Sequence, residues 1–346
     1  MVYRALREAG YRTGLYTSPH LVDIRERFIV NDRPIPGEAL AHWNAQLAGP
    51  ARETGASFFE VNTATAFADF AARGADIAVV EVGLGGRLDA TNVLDPLVAC
   101  VTRIALDHTD YLGEDLGGIA REKAGIAKRN RPFLVGETDP ALVSAMVEVA
   151  QGAGASVAVI PPGECYGGVL ALGGAHQRRN AAVAEAVLKA LPPAFRTTGV
   201  EMERGFATAT LPGRFDIRGK WVFDVAHNPD GVRAVVAALQ NARLPRPIHA
   251  LVGILGDKDW RGMLQVLRNA VDRIWLTDPH SAPADRRWDL DSVRREVADG
   301  AQVLVERDFD HALEQVQVSA RTVLVTGSFH TVGDAMARLP GFSPLG

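Results

Sequence analysis

The sequence predicts an α/β protein with two domains, and three observations carry this prediction. Apolar runs of strand length, such as Asp76–Val82 and Leu97–Leu106, alternate with segments whose apolar residues have helical spacing. The alternation starts again near Phe215, after a stretch rich in glycine and proline. The length of 346 residues also favours two domains, at about 150 residues for each. Such alternation indicates mostly parallel sheets with helices on both faces.

In the first half of the chain, helical spacing begins at once, because Val2, Tyr3, Leu6 and Ala9 share one face before Gly10. No strand precedes this helix. The expected elements that follow are, in chain order, a strand at Gly14–Tyr16, a helix at Phe58–Ala72, strands at Asp76–Val82 and Leu97–Leu106, a helix at Gly117–Lys128, a strand at Pro132–Val135 and a helix at His176–Leu191. The segment Gln151–Gly174 is expected to be irregular or to form short hairpins.

In the second half, strands are expected at Trp221–Val225, Ile248–Ile254, Arg273–Thr277, Gln302–Val305 and Thr322–Thr326. Helices are expected between and after them, at Pro229–Asn241, Trp260–Ala270, Leu290–Ala298, Phe309–Ala320 and Thr331–Leu339. The turn-forming string Leu211-Pro212-Gly213-Arg214 separates the two series. We therefore expect domains at residues 1–212 and 213–346.

Composition excludes several classes of protein. The 37 basic and 41 acidic residues give a net charge of −4, which argues against an electrostatic nucleic-acid surface. Apolar runs such as Ile248–Leu255 are far shorter than the roughly 20 residues that cross a bilayer, and the N-terminus has no apolar signal segment. Two cysteines, Cys100 and Cys165, suit a reducing compartment. We expect a cytoplasmic protein that binds neither nucleic acid nor membrane.

The densest candidate site is the string EVGLGGRLDATN at residues 81–92, directly after an apolar strand. Its glycines permit left-handed turns and a close approach of backbone to ligand. Ligands of parallel sheets bind at the carboxyl ends of strands, where Glu81 would lie. A sharp turn with exposed polar residues is the alternative. A dinucleotide fingerprint is disfavoured, because the residues after Gly86 do not open a helix.

Other strand ends carry polar groups of the same kind. Asp107-His108-Thr109-Asp110 could share a metal ion with Glu81, or His108 could make ordinary hydrogen bonds. The strings Thr17-Ser18-Pro19-His20, Asp224-Val225-Ala226-His227-Asn228-Pro229, Asp257-Lys258-Asp259 and Thr326-Gly327-Ser328-Phe329-His330 end further strands. Asn228 is explained as a helix cap. Lys123, taken alone on its helix, is most simply a solvated lysine.

Taken together, these strings resemble the folylpolyglutamate synthase / dihydrofolate synthase family of Mur-ligase-like, ATP-dependent amide ligases, particularly its bifunctional bacterial members. The resemblance covers nearly the whole chain in the family's order. The matching strings are GLYTSPHL, RERFIVN, FFEVNTATAF, EVGLGGRLDATN, IALDHTDYLG, REKAGI, HQRRNAAVA, LPGRFD, DVAHNP, GDKD and TGSFHTVG.

The resemblance implies a P-loop-type central ATPase domain at residues 1–212 and a smaller Rossmann-like glutamate ligase domain at 213–346. It implies that ATP drives the joining of L-glutamate to dihydropteroate, or the extension of folates by γ-linked glutamates, through an acyl phosphate. Magnesium, as two ions, and ATP as co-substrate are the implied cofactors. A monomer that acts on small molecules in the cytoplasm is the implied assembly.

Site residues follow from the resemblance position by position. Ser18, Glu81 and His108 match the magnesium ligands, and Lys123 matches a lysine whose carbamate is a further ligand. The remaining matches comprise the ATP contacts Asn180, Arg214 and Asp224, the pterin surroundings Phe58, Phe59, Leu88, Asp89 and Ala90, and the catalytic candidates Lys123, His227, Asp89 and Ser328. For Lys123 the resemblance replaces the solvated interpretation, because a free ammonium would repel Mg²⁺ and a carbamate would bind it.

One family string has no match. The phosphate-binding loop G-T-N-G-K-G-S/T occurs nowhere in the sequence, and the alignment places it immediately before Met1. We therefore expect a first domain without its opening strand and phosphate loop. Two other functions stay open at this point. One is a non-catalytic protein that binds folate or nucleotide, and the other is a metal-dependent hydrolase that uses Glu81 and His108.

We expect the purified 346-residue chain to be weak or inactive as a ligase. A backbone nest and a lysine that meet the phosphates should contribute several kcal/mol in the transition state, compared with about 3–4 kcal/mol for one oxyanion donor. The measurement is ATP-dependent addition of glutamate to dihydropteroate. Full turnover would contradict this expectation, and no turnover after an upstream loop is restored would contradict the resemblance itself.

Overall fold

The computed structural model describes residues 1–106, 113–297 and 302–345. The chain divides into two compact units. The first contains Met1–Ser18, Arg25–Ala171 and Gln177–Ala209, and the second contains Pro19–Ile24, Leu172–His176 and Thr210–Gly346. The chain enters the second unit for the last time at Thr210, close to the boundary expected after residue 212. No pattern in the sequence indicated that two short upstream segments belong to the second unit.

The first sheet of the first unit mixes parallel and antiparallel pairs. Its strands are β1 (Thr13–Tyr16), β2 (Phe28–Val30), β3 (Arg33–Pro34) and β4 (Ile77–Val80), in the order β3-β2-β1-β4. The β1 and β4 strands are parallel, whereas β2 pairs antiparallel with both β1 and β3. This arrangement places the carboxyl ends of β1 and β4 side by side, where Ser18 and Glu81 follow.

A second, parallel sheet contains β5 (Ala99–Val101), β6 (Pro132–Val135) and β7 (Ser156–Val159), in that order. The α/β class is therefore confirmed, but the described strands of this unit form two sheets where one was expected. Within the described residues β4 and β5 are each paired on one side only. Residues of both strands line a cavity of about 630 Å³.

The helices of the first unit are α1 (Val2–Glu8), α2 (Gly37–Thr54), α3 (Phe58–Ala72), α4 (Leu116–Ala124), α5 (Pro140–Gly152), α6 (Ala175–Ala190) and α7 (Gly199–Thr208). Side chains define most of their starts. Ser57 forms a capping box with Glu60 at α3, and Asp115 and Asp139 cap α4 and α5. The predicted helix at Phe58–Ala72 is confirmed.

Some elements differ from those expected. The predicted helix at Gly117–Lys128 ends at Ala124, and the predicted strand at Leu97–Leu106 is wrong outside Ala99–Val101. The irregular segment expected at Gln151–Gly174 contains β7. Helices α2, α5 and α7 were not expected; α2 has no buried residue, so it lacks the apolar face that reveals a helix in sequence.

The second unit contains one sheet with the order β12-β11-β10-β13-β9-β8. Its strands are β8 (Asp216–Arg218), β9 (Trp221–Phe223), β10 (Ile248–Val252), β11 (Arg273–Leu276), β12 (Val303–Val305) and β13 (Thr322–Thr326). All neighbours are parallel except the β8–β9 pair. Each predicted strand of this half is present, with ends shorter by up to two residues for all but the last.

Helices cover both faces of this sheet. They are α8 (Pro229–Ala242), α9 (Trp260–Arg268), α10 (Leu290–Glu296), α11 (Phe309–Val316) and α12 (Phe329–Arg338). Alternate residues of β10 enter opposite cores: Ala250 and Val252 pack with α8, α9 and α10, whereas Leu251 packs with α11 and α12. No helix in the described ranges is long and apolar enough to span a membrane.

In the first unit, α1 and α7 touch through a glycine. A Cβ on Gly205 would lie 2.5 Å from the backbone nitrogen of Ala5, so only hydrogen fits. Leu6 and Phe206, both almost fully buried, pack in the core beside this contact. The absence of a side chain at Gly205 therefore lets the two helices approach closely.

We expect Gly205→Ala to lower the free energy of unfolding by about 1–3 kcal/mol, because the added methyl group meets backbone that must shift. Gly199, at the start of the same helix, has open space around its Cβ position, so Gly199→Ala is the matched control. Urea denaturation followed by circular dichroism measures both. Equal stability of the two variants would contradict the close contact.

Candidate active site

The loop at residues 81–92, here called the strand-end loop, follows β4 in the first unit. Its start extends the pairing with β1, because the Glu81 amide donates to the Tyr16 carbonyl at 2.9 Å. Gly85 has a φ of +68°, a conformation that favours glycine. The ring of Phe59 lies against Gly83, where a Cβ would be 2.3 Å from the ring.

The carboxylate of Asp89 organises this loop. One oxygen accepts hydrogen bonds from the amides of Gly83 and Leu84, at 3.1 and 2.9 Å. The other accepts from the amide of Thr91, at 2.9 Å, and from its hydroxyl. Asp89 is also the N-cap of a short 3₁₀ helix, Ala90–Val93. Asp89, predicted as a catalytic and pterin-binding residue, thus holds backbone at both ends of the loop.

The strand-end loop is packed against the end of α4, which carries Lys123. A Cβ on Gly86 would lie 2.8 Å from the carbonyl oxygen of Glu122, and a Cβ on Gly125 would lie 2.4 Å from the Cβ of Arg87. The Arg87 amide donates to that Glu122 carbonyl at 3.0 Å. Two strings that are 29 positions apart at their closest, EVGLGGRLDATN and REKAGI, therefore form one substructure, a proximity that the sequence did not reveal.

Glu81 and Lys123 both line the 630 Å³ cavity between β4 and β5, together with Gly85 of the loop. Ser18 is adjacent, since its amide donates to a Glu81 carboxylate oxygen at 3.1 Å. Of the four predicted metal ligands, the structure thus brings Ser18 next to Glu81 and places Lys123 on the same cavity. His108 lies outside the described residues.

The donors fit a hard divalent cation. Glu81 offers a carboxylate and Ser18 a hydroxyl, and a carbamate on Lys123 would add further oxygens, the ligand type that Mg²⁺ and Mn²⁺ prefer. Among the described residues, histidine, cysteine and acidic side chains form no metal-binding group of three or more. The donors considered for this cation differ from such a group, because they comprise one carboxylate, one hydroxyl and a carbamate.

A second cavity of the first unit, about 540 Å³, lies beside the predicted pterin residues. Phe59, Leu88, Asp89 and Ala90 line it, together with Gly118 and Glu122 of α4. Leu88 is 78% exposed although its side chain is apolar. Phe58 does not line this cavity: its ring is 63% exposed and lies 5.6 Å from the guanidinium of Arg27.

In the second unit, predicted site residues meet at the carboxyl ends of β9 and β13. Asp224 accepts hydrogen bonds from the amides of Phe215 and Ala226, at 2.8 and 2.9 Å. Burial raises the pKa of its carboxyl, although these bonds act in the opposite direction. The Arg214 guanidinium lies 5.2 Å from the Phe329 ring, and the ring of His227 lies 6.0 Å from the same ring.

Ser328 has a local role in the structure. Its hydroxyl oxygen accepts from the Thr331 amide at 3.1 Å and caps α12, and the residue is only 2% exposed. Thr331 in turn donates to the carbonyl of Gly253 at 2.7 Å. The group at this strand end that sequence reasoning missed is Phe329, which lies beside both His227 and Arg214. The sequence feature that could have identified Phe329 is its position inside the string TGSFHTVG, next to Ser328.

Asn180 belongs to the first unit. It lies on α6, where its amide nitrogen donates to the Gln177 side chain at 3.2 Å. The other two predicted ATP contacts, Arg214 and Asp224, belong to the second unit. All three assignments stay predictions, as do those of the pterin and catalytic residues.

Comparison with known proteins places this architecture in a family. A model of the Mur ligase glutamate ligase domain matches residues 213–329. The chain is 36% identical over 354 aligned residues to the dihydrofolate synthase/folylpolyglutamate synthase of Escherichia coli strain K12, covering 96% of this chain and 81% of that protein. The chain belongs to this family.

Solved structures of family members are also similar to the chain. E. coli FolC in complex with DHPP and ADP has a TM-score of 0.86 and 33% identity, covering 97% of this chain and 84% of that one. The bifunctional synthase of Yersinia pestis, complexed with AMPPNP and Mn ion, has a TM-score of 0.83 and 33% identity, with the same coverage. The fold of both units thus matches that of known ligases.

We expect Asp89→Asn to lower the free energy of unfolding by about 1–3 kcal/mol, because one amide group would face backbone N–H donors. Asp139→Asn is the matched control: Asp139 caps α5 through one oxygen, which asparagine also supplies. Denaturation and amide hydrogen exchange at Gly83 and Leu84 are the measurements. Unchanged protection of these two amides would contradict the role assigned to Asp89.

Proposed function

We propose that the chain is an ATP-dependent ligase that joins L-glutamate to dihydropteroate and extends folates with γ-linked glutamates. The names of its relatives support this proposal, as do the DHPP, ADP and AMPPNP in their structures. The observation that carries it is the strand-end loop. Its residues line the 630 Å³ and the 540 Å³ cavities, so that Glu81, Lys123 and the predicted pterin residues Leu88, Asp89 and Ala90 belong to one substructure.

The metal would be held by Glu81, Ser18 and a carbamate on Lys123. The Mn ion in the Y. pestis relative supports a divalent metal, and we propose two Mg²⁺ ions in use. Carbamylation of the lysine ammonium by CO₂ releases two protons, one as the free amine forms and one as the N–C bond forms, and it converts a cation into an anionic oxygen ligand. A bound divalent ion supplies the charge that lets the γ-phosphate and the substrate carboxylate come together.

The substrate's pterin end would occupy the 540 Å³ cavity. Leu88 and Phe59 offer apolar surface to a flat ring, and Ala90 leaves space beside them. The Asp89 carboxylate already accepts four hydrogen bonds, so we assign it to the shape of the loop and, through the loop, to the placement of Leu88 and Ala90. Phe58 would contact the substrate from its exposed position.

The first chemical step transfers the γ-phosphoryl group of ATP to a carboxylate oxygen of the folate precursor. The products are an acyl phosphate and ADP, and the new bond makes the carboxyl carbon electrophilic. Asn180, Arg214 and Asp224 would hold the nucleotide. The Arg214 guanidinium already lies over the Phe329 ring. Because this contact restricts the arginine before the nucleotide arrives, binding would cost less side-chain conformational entropy.

In the second step, the amine of glutamate attacks the acyl carbon, phosphate leaves with its oxygen, and the amine gives up a proton. We assign His227 to this amine. Its Nδ1 lies 3.0 Å from the Val225 carbonyl, and only a protonated Nδ1 can donate there, so the neutral ring carries its lone pair on Nε2. Ser328 would act here by holding the first turn of α12 in place.

The deciding experiment measures binding and chemistry separately. Calorimetry tests dihydropteroate and Mn²⁺–AMPPNP one at a time, and a single-turnover assay then follows glutamate addition with ATP. Substrate labelled with ¹⁸O in its carboxylate should give ¹⁸O-labelled phosphate, because one carboxylate oxygen leaves with the phosphoryl group. Glu81→Gln should weaken Mn²⁺-dependent AMPPNP binding by about 10–100-fold. Glu53→Gln, on the exposed helix α2, is the control.

Each result separates the candidate functions. Binding of both ligands without ligation, also after an upstream phosphate loop is restored, would favour the non-catalytic binding protein. Metal-dependent hydrolysis without ATP would favour the hydrolase. Failure to bind dihydropteroate would overturn the proposed substrate, and phosphate without the label would overturn the acyl phosphate.

A further inference from the structure

The strand-end loop and the end of α4 interlock through two glycines. Gly86 lies against the backbone of Glu122 and Lys123, with its Cβ position 2.8 and 2.9 Å from their carbonyl oxygens. Gly125 lies in turn against Arg87, with its Cβ position 2.9 Å from the Arg87 Cα. Since each backbone fills the space of a missing side chain on the other, neither segment can slide without a clash.

Polar contacts fix the same register. The Arg87 Nε donates to a Glu122 carboxylate oxygen at 3.0 Å. The Asn92 side-chain amide donates to the carbonyls of Arg87, at 2.9 Å, and of Gly125, at 3.2 Å, so that one group ties the loop to the turn after α4. The ammonium of Lys128 donates to the Asn92 carbonyl at 2.8 Å, which fixes Asn92 itself.

This interlock lies between the two cavities. Glu122 lines the 540 Å³ cavity with Leu88 and Asp89, whereas the next residue, Lys123, lines the 630 Å³ cavity with Glu81. Gly85 lines both. A shift of the loop on binding at one cavity would therefore move backbone that forms the wall of the other.

We propose that Arg87, Asn92 and Glu122 are positioning residues that hold Lys123 in place relative to Glu81, and that they couple binding of the pterin substrate to binding of the divalent metal. This inference rests on the proposed function. Asn92 has the largest part, because its single amide bridges two segments of chain. The Arg87–Glu122 ion pair is partly exposed, so it adds little to the free energy of unfolding. Its contribution is to fix the orientation of the loop relative to α4.

Coupling between two sites is reciprocal, so each ligand must tighten the other by the same factor. The test titrates the 346-residue chain with Mn²⁺, followed by electron paramagnetic resonance, with and without dihydropteroate. The reverse titration uses calorimetry. We expect a mutual tightening of about fivefold or more in the wild type, at the lower end of typical couplings. Bicarbonate is present throughout, so that the Lys123 carbamate can form.

In Asn92→Ala and Glu122→Gln this factor should fall to about one. The exchanged double variant, Arg87→Glu with Glu122→Arg, should recover part of it, a recovery that a general loss of packing would not give. Asn44→Ala, on the exposed face of α2, and Glu185→Gln, from the Lys189 pair on α6, are matched controls that touch neither cavity. They should keep the wild-type factor.

Several outcomes would overturn the inference. One is a wild-type chain that binds dihydropteroate without any change in Mn²⁺ affinity, and another is wild-type coupling in a folded Asn92→Ala or Glu122→Gln chain. Should Asn92→Ala fail to fold, the Glu122→Gln and exchanged variants decide, because they keep the glycine interlock intact. A wild-type chain that does not bind dihydropteroate contradicts the proposed function itself, which separates the two failures.

Discussion

The four hydrogen bonds accepted by Asp89 are the interaction on which the strand-end loop depends. A loop with three glycines in four residues has a large conformational entropy when unfolded, and no side chain of its own restricts it at those positions. The Asp89 carboxylate offsets this entropy loss, because its hydrogen bonds join the first turn of the loop, at Gly83 and Leu84, to the last turn, at Thr91. The exposed Leu88 and the contact with α4 both follow from that closure.

The sequence predicted the elements that have their own chemical signals. The helix at Phe58–Ala72 was located to the residue from its helical periodicity, and in the structure Ser57 and Glu60 form a capping box at its start. Strands β9 and β13 of the second unit are short, mainly apolar runs, since helices bury both of their faces. The division of the first unit into two sheets was not predictable, because an apolar run does not reveal which strand pairs with it.

The candidate site shows the same limit. Residue types and strand ends pointed to Glu81 and to the glycines after it, but Lys123 on its own looked like a solvated lysine. Its position depends on Gly86 and Gly125, whose fit against neighbouring backbone appears only in the folded structure. Asp89 and Ser328 were predicted as catalytic by resemblance, whereas the structure gives their oxygens backbone partners. A polar side chain in a tight turn serves the turn or a ligand, and sequence alone cannot choose between them.

The edges of β4 and β5 beside the 630 Å³ cavity have a consequence for the behaviour of the protein during partial unfolding. In the described part of the chain β4 and β5 each keep one side without a partner strand, and apolar residues such as Val79 and Val98 surround those sides. Unpaired edges of this kind are templates for other chains. While the first unit is folded, residues of both strands line the cavity, so these edges lie beside that space and not against another chain. We expect partial unfolding to expose both at once, so that aggregation at high protein concentration would compete with refolding.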